Sequence, residues 1–375
     1  MSAEIALCMI VKDEEDALPR CLASVASSVA EIVVVDTGSS DRTRNIAKSF
    51  GALVVSVPWP DDFAAARNMS LAFATQPWIL ALDADEEWAP VGEDGQSGDA
   101  LRRFLEERAR CEGKLGYNVR IESELDGVHG RHRATDSACR LFRNDPRIRY
   151  RGALHEEAAT SILRLAPDGI GDAVDRLRIR HYGYLDEAIA AKNKPKRNLS
   201  LILRRLRHAP DDAEARYALG TEYFAQGAYD RAIETFEPLV PDRLKAVDEG
   251  YLSDLLFKLA YAYRMKGRLV RAASLADEAL SRYPDFPDLL ELRALISSDA
   301  GDHAEALAWL DKALAAGERG DRYSSISGAG TYRTHYLVGF VRERTGDAPR
   351  AREAYLRALL LRPNYEPASA RLERL

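Results

Sequence analysis

Four short apolar runs, each closed by polar residues and each separated from the next by a helical pattern, constrain the fold of this chain more than any other feature. They are IALCMIV from Ile5, IVVV from Ile32, the GALVVSV stretch at residues 51–57, and WILAL from Trp78. Continuous runs rich in β-branched residues are buried on both faces, as strands of a parallel sheet are. Between them, Leu18, Cys21, Leu22 and Val25 recur at helical spacing with Pro19 near the helix start, Ser40 or Asp41 can cap RTRNIAKSF, and DDFAAARNMSLAFA reads as a third helix. This β-α-β-α-β-α-β order predicts an open, right-handed α/β sheet of the Rossmann-like kind.

In such sheets ligands collect beyond the carboxyl ends of the strands. Asp13 and Glu14 follow the first run, Asp36 the second, and Asp83 and Asp85 the fourth. Alternation along a strand predicts that Asp83 and Asp85 point the same way, offering two hard oxygen ligands to a divalent cation and a substrate diphosphate. An isolated Asp-x-Asp is equally a solvated turn of acids, so the other strand ends have to decide.

The 375 residues allow two or three domains, and 46% hydrophobic with 30% charged residues is ordinary for a globular chain. A net charge of -6 gives no electrostatic reason to expect a nucleic-acid partner. Cys8, Cys21, Cys111 and Cys139 form no C-x-x-C pair and read as buried thiols of a reducing compartment. No apolar stretch approaches the roughly 18 residues of a membrane helix, and Glu4 beside an immediate strand argues against a signal peptide. The expected location is the cytoplasm.

From residue 115 the pattern alternates. GYNVRIES, SACRLFRN and RIRYRGALHEE read as antiparallel strands beside the parallel sheet, followed by RIRHYGYLDEA. After KNKPKRN strands give way to alanine-rich helical patterns. A small residue followed twelve positions later by alanine recurs at Gly220 and Ala232, Ala260 and Ala272, Ala294 and Ala306, and Gly339 and Ala351. The first members are 40, 34 and 45 residues apart, scattered around the ~34 of tetratricopeptide repeats. The expected division is an α/β domain over 1–190 and an all-α helical solenoid over 191–375.

MIVKDEE, VVVDTGSSDRT, DDFAAARN and LALDADEEW together resemble the successive motifs of family 2 glycosyltransferases of the GT-A fold, over roughly Ala3 to Tyr184. The resemblance implies a nucleotide-sugar donor, a divalent metal and inversion at the anomeric carbon. Asp36 would accept from a uracil N3–H, or serve as a turn residue; Asp13 and Glu14 would bond the ribose hydroxyls, or start a helix. Arg67 and Asn68, after the small run Ala64 to Ala66, would meet the diphosphate, with a surface ion pair as the plainer reading of the arginine. Asp83 and Asp85 take the metal and diphosphate, while Glu86 and Glu87 lengthen the acidic cluster and would tune the site, or, as the plainer reading, are solvated acids starting a helix.

YRGALHEE resembles a Gly-x-x-His-Glu segment of a bacterial branch of the family. It makes Glu156 the candidate base that deprotonates the acceptor, with Glu157 the alternative and His155 orienting it or touching phosphate. Ala159 four residues after His155 excludes a zinc-protease motif. His181 matches a histidine that returns to the metal in some GT-A enzymes, and suits Mn2+ better than Mg2+; its plainer reading is a structural tie.

The expected function is therefore a metal-dependent inverting hexosyltransferase using a UDP-sugar with Mn2+ or Mg2+. The repeats would hold a peptide or protein acceptor in a concave groove, or act as a brace or self-association surface. A non-catalytic, nucleotide-binding repeat adaptor is the alternative, disfavoured because metal acids, base candidate and uracil acid occur together. A nucleotidyltransferase would need a glycine-rich loop after the first strand, and MIVKDEED has no glycine.

Overall fold

The computed structural model describes residues 5–89, 97–109, 113–125, 132–152, 156–184, 194–240, 251–320 and 322–375. It divides into two compact units: Met1–Leu125 with Asp136–Lys194, and Asp126–Thr135 with Pro195–Leu375.

In the first unit the four apolar runs form strands β1 (Ile5–Val11), β2 (Glu31–Asp36), β3 (Leu53–Ser56) and β4 (Trp78–Ala81), parallel in the order β3-β2-β1-β4. Beyond β4 the sheet continues with β7 (His132–Arg143), β6 (Gly116–Leu125), β9 (Arg178–Tyr184) and β5 (Glu86–Trp88), and β8 (Ile170–Asp172) pairs with β6. The pairing of β4 with β7 is antiparallel. Helices α1 (Leu18–Val25), α2 (Thr43–Ser49) and α3 (Phe63–Phe73) make the crossovers; α4 (Ser97–Phe104) and α5 (Ala159–Leu165) come later.

Alternation along β1 supplies two cores at once. Ile5, Leu7, Met9 and Val11 pack with Leu18, Cys21, Leu22 and Val25 of α1, with Trp88, Phe104 and Tyr117 completing that side. Ala6 and Cys8 face the opposite way, among Ala64 and Leu71 of α3, Ile79, Phe142 and Tyr150. Each of the large aliphatic side chains so buried contributes about 1.5–3 kcal/mol. Asp62 caps α3 by accepting from the Ala65 N–H at 2.8 Å.

Three expectations change here. Strand β4 ends at Ala81, so Asp83 and Asp85 stand in a turn, closed by the Glu86 N–H on the Asp83 carbonyl at 3.0 Å, and strand alternation does not orient them. Glu86 and Glu87 start no helix; they open β5, with Glu86 1% exposed. RIRYRGALHEE is not a strand: its described part is irregular, with one isolated bridge between Arg151 and Glu157.

The second unit opens with α6 (Lys194–His208) and continues as four helical hairpins. They are α7 and α8 (Ala213–Ala225, Tyr229–Phe236), α9 and α10 (Leu252–Met265, Leu269–Arg282), α11 and α12 (Pro287–Asp299, His303–Ala316), and α13 and α14 (Tyr332–Arg344, Ala348–Leu361); α15 (Glu366–Leu372) follows. All eight small residues of the repeat pattern are buried within these hairpins. The interval of 45 residues between Ala294 and Gly339 contains an insertion that lies on α11. Its short strand β10 (Ser325–Ile326) pairs with Thr135 and Ala134. The Ser325 hydroxyl and Arg333 bond Asp288, and the Thr334 hydroxyl and Arg333 bond Glu291. Asp288 and Glu291 are each 3% exposed, and their acceptors are met by donors that only this insertion and α13 bring.

A Cβ on Gly339 would lie 2.4 Å from a ring carbon of Tyr355, which is fully buried. Gly339→Ala is therefore expected to cost the helical unit about 1–2 kcal/mol despite the higher helix propensity of alanine, read as a lower urea midpoint by circular dichroism at 222 nm. An unchanged midpoint would show that the Tyr355 ring moves freely.

Candidate active site

The parallel register decides which side chains meet. Val11 is level with Asp36, and Asp36 with Ser56, so the segments after β1 and β2 leave the sheet side by side. Asp13 adopts φ 52, a left-handed conformation uncommon outside glycine, and its carboxylate accepts from the Ser40 N–H at 2.7 Å and hydroxyl at 3.1 Å. The Glu14 N–H donates to Thr43 Oγ1 at 2.7 Å, and its carbonyl starts α1 by accepting from Leu18 at 2.9 Å. Asp36 is fully buried, with its oxygens 3.2 and 3.3 Å from the Ser39 N–H and 3.9 Å from Arg44 Nε. That is turn geometry, with the Asp36 carboxylate occupied by the backbone of its own turn.

At the centre lies Arg67, on the buried face of α3. Its Nη2 donates to Asp83 Oδ1 at 2.6 Å and its Nε to Glu156 Oε1 at 2.5 Å. A second arginine, Arg140 of β7, stands 2.9 Å from Glu86 Oε1 and 3.5 Å from Asp83 Oδ2. Glu86 Oε2 in turn accepts from the Asp83 N–H at 2.8 Å. Burial opposes the charge of Asp83, but Arg67 and then Arg140 outweigh it and hold the carboxyl down at about 2. For Glu86 burial prevails over Arg140, and its pKa rises. The guanidinium of Arg67 stays protonated because Asp83 and Glu156 more than offset its burial.

Asn68 does something else. Its amide donates to the Tyr150 carbonyl at 3.0 Å and its oxygen accepts from the Tyr150 N–H at 2.8 Å, a two-point clamp on the segment that leads to Glu156. Tyr150 stacks its ring below Arg67, 5.5 Å from centroid to guanidinium carbon. Of the two base candidates, Glu156 faces Arg67, while the Glu157 carboxylate accepts from the Thr160 hydroxyl and is exposed. His155 lies outside the described residues.

The pairing of β5 with β9 brings the last candidate in. Glu86 is level with His181, and the Tyr182 N–H donates to the Asp85 carbonyl at 3.0 Å. His181 Nε2 is 3.6 Å from Asp85 Oδ1, and its Nδ1 is 3.2 Å from Ser123 Oγ. An imidazole held through one nitrogen, with the other beside a carboxylate, is the donor arrangement a divalent ion uses. Among the described residues no cluster of three or more Asp, Glu, His or Cys side chains forms a ready-made metal cage. Asp85 and His181 thus make a two-ligand end, which suits an ion that takes its remaining oxygens from a diphosphate and water. Asp83 is drawn instead to the two arginines. The sequence did not mark Arg140 as functional and gave Glu86 only a secondary reading as an acid that tunes the site; the hint for Arg140 was a cation flanked by Cys139 and Leu141 in SACRLFR.

Residues 6–91 match the model of glycosyl transferase family 2, and residues 199–243 and 257–321 match a tetratricopeptide repeat. A TPR repeat-containing protein of Synechococcus elongatus is 35% identical over 286 residues, which are 75% of this chain and 65% of that protein. The SPbeta prophage-derived glycosyltransferase SunS of Bacillus subtilis is 26% identical over 323 residues, 85% of this chain and 72% of that one. An uncharacterized glycosyltransferase of Rickettsia typhi is 36% identical over 84 residues, 22% of this chain and 28% of the other. The chain thus spans a little under two thirds of the Synechococcus relative.

Asp83 has a folded pKa below its usual value, so its share of the stability is complete above about pH 4 and is lost as the pH falls towards about 2. The difference in unfolding free energy between the native protein and Asp83→Asn is expected to be constant from pH 7 to 5 and to shrink below pH 4. Denaturant titrations at each pH check this, and a difference that grew on acidification would contradict the ion pairing.

Proposed function

From a family 2 glycosyl transferase segment followed by tetratricopeptide repeats, we propose that this chain is an inverting glycosyltransferase that moves a sugar from a UDP-sugar to a polypeptide acceptor. One observation carries the reading: a half-buried carboxylate, Glu156, and the strand-end acid Asp83 are joined through a single guanidinium, with Asp85 and His181 following on the same turn and its partner strand. Transfer with inversion needs a base on the acceptor side and a positive, oxygen-binding end for the departing diphosphate.

Asp85 and His181 are the residues to hold Mn2+ or Mg2+. When bound, the ion neutralises the charge that develops on the nucleoside diphosphate. Glu156 takes the proton of the acceptor nucleophile at its carboxylate. Ser123 fixes the ring of His181, and Arg140 with Glu86 fixes the turn that carries Asp83 and Asp85. Asp13, Glu14 and Asp36 line the strand ends where the nucleoside would sit, with Asp36 engaging uracil after the Ser39 segment shifts. The supporting detail for a polypeptide acceptor is the repeat array, a scaffold whose grooves suit extended chains.

Thermal-shift and calorimetric titration with UDP-sugars, each with and without Mn2+ or Mg2+, tests the reading. A UDP-sugar is expected to stabilise the protein only with the metal. Asp85→Asn and His181→Ala should weaken that metal-dependent binding about 10-fold or more. Glu156→Gln should bind donor normally and lose transfer by about 100-fold or more. Equal stabilisation by nucleoside triphosphates, or normal turnover of Glu156→Gln, would reject it.

A further inference from the structure

Resting on that reading, we propose that Arg67 is the positioning residue that sets the base Glu156 against the Asp83 turn, and not a ligand of the diphosphate. Its side chain is only 7% exposed, and two of its N–H groups are already committed, Nη2 to Asp83 and Nε to Glu156. A phosphate could reach these donors only by displacing a carboxylate from a buried guanidinium, leaving a charge without its partner.

The guanidinium is planar and its donors are fixed relative to one another, so the two carboxylates it holds are fixed relative to one another as well. Every neighbour removes slack from that arrangement. Asp62 caps the helix that carries Arg67, and the ring of Tyr150 lies beneath the guanidinium. Asn68, the next residue on α3, clamps the Tyr150 backbone and so ties the segment before Glu156 to the same helix. The other oxygen of Asp83 meets Arg140, which keeps the turn from following Arg67 alone. A one-ångström error in a reacting group costs about 100-fold in rate, so a fork that spaces base and donor end is a direct lever on turnover.

Lysine separates charge from geometry, because its ammonium is a point donor that cannot reproduce the fork. In Arg67→Lys, kcat for transfer is expected to fall about 100-fold while the affinity for UDP with Mn2+ changes by no more than about 3-fold. The double variant Arg67→Lys with Glu156→Gln should be no slower than Glu156→Gln alone, because the two side chains act as a unit. Asn68→Ala, which leaves Arg67, Asp83 and the base itself in place and releases the clamp on the Tyr150 backbone, should show the same split and serves if the lysine variant does not fold. A loss of nucleotide affinity as large as the loss of kcat, or independent multiplying losses in the double variant, would overturn the proposal and make Arg67 a diphosphate ligand.

A readout without turnover separates this from the parent reading. Crystal structures of the native protein and Arg67→Lys are expected to show both carboxylates on Arg67 in the first and one of them turned away in the second. If both keep their places around lysine, Arg67 does not position them. If no UDP-sugar binds or turns over in the native protein, the glycosyl-transfer reading fails, and the crystal comparison still decides whether Arg67 spaces the two acids.

Discussion

The first unit depends on the compensation of buried charge. Asp83, Glu86 and Glu156 are brought together with Arg67 and Arg140, and neither arginine is more than 17% exposed. An unpaired carboxylate or guanidinium at such a place would cost several kcal/mol, and mutual pairing is what makes the cluster tolerable. The cost is met by chain segments far apart in sequence: α3, the turn after β4, β7 and the segment before α5. Removing Arg67 would leave Glu156 without its cation, and removing Arg140 would leave Glu86 without its own, so the cluster ties the parallel half of the sheet to its mixed half.

That compensation also separates the two ends of the candidate site. Asp83 is bonded by Arg67 and approached by Arg140, which orients the turn. Asp85 sits beside His181, whose other nitrogen is held by Ser123, and this pair remains chemically suited to a hard cation. Two aspartates that look equivalent in sequence therefore take different partners. The reason is local: β4 stops at Ala81, and a tight turn rather than strand alternation sets their directions. In the helical unit the same physics appears where Asp288 and Glu291 are buried and satisfied by Ser325 of the insertion and by Arg333 and Thr334 of α13.

Much of the architecture was legible beforehand. Apolar runs with β-branched residues marked β1 to β4, and helical spacing marked α1 to α3, because burial on both faces or one face leaves a period in the sequence. The small-residue pairs marked the four hairpins, since small side chains let two helices approach closely, and at Gly339 beside Tyr355 only glycine fits without a shift of the ring. Glu86 was misread as a solvated acid for a physical reason: an acid after a strand is normally exposed, and its burial here rests on Arg140, 54 positions away. Asn68 was read as a ligand of diphosphate because it follows Arg67, whereas its amide matches a backbone segment 82 residues on.

By itself, then, the sequence determined the strand and helix order, the parallel half of the sheet, the repeat array and the set of acids at the strand ends. These follow from periodicity and local turn chemistry, which act over a few residues. Only the tertiary structure decided which acid meets which cation, that Glu156 and not Glu157 faces Arg67, and that Asp85 rather than Asp83 stands beside His181. Those choices depend on strand register and on charge pairs between segments far apart in the chain. Electrostatic compensation of buried groups leaves no periodic trace in the order of residues.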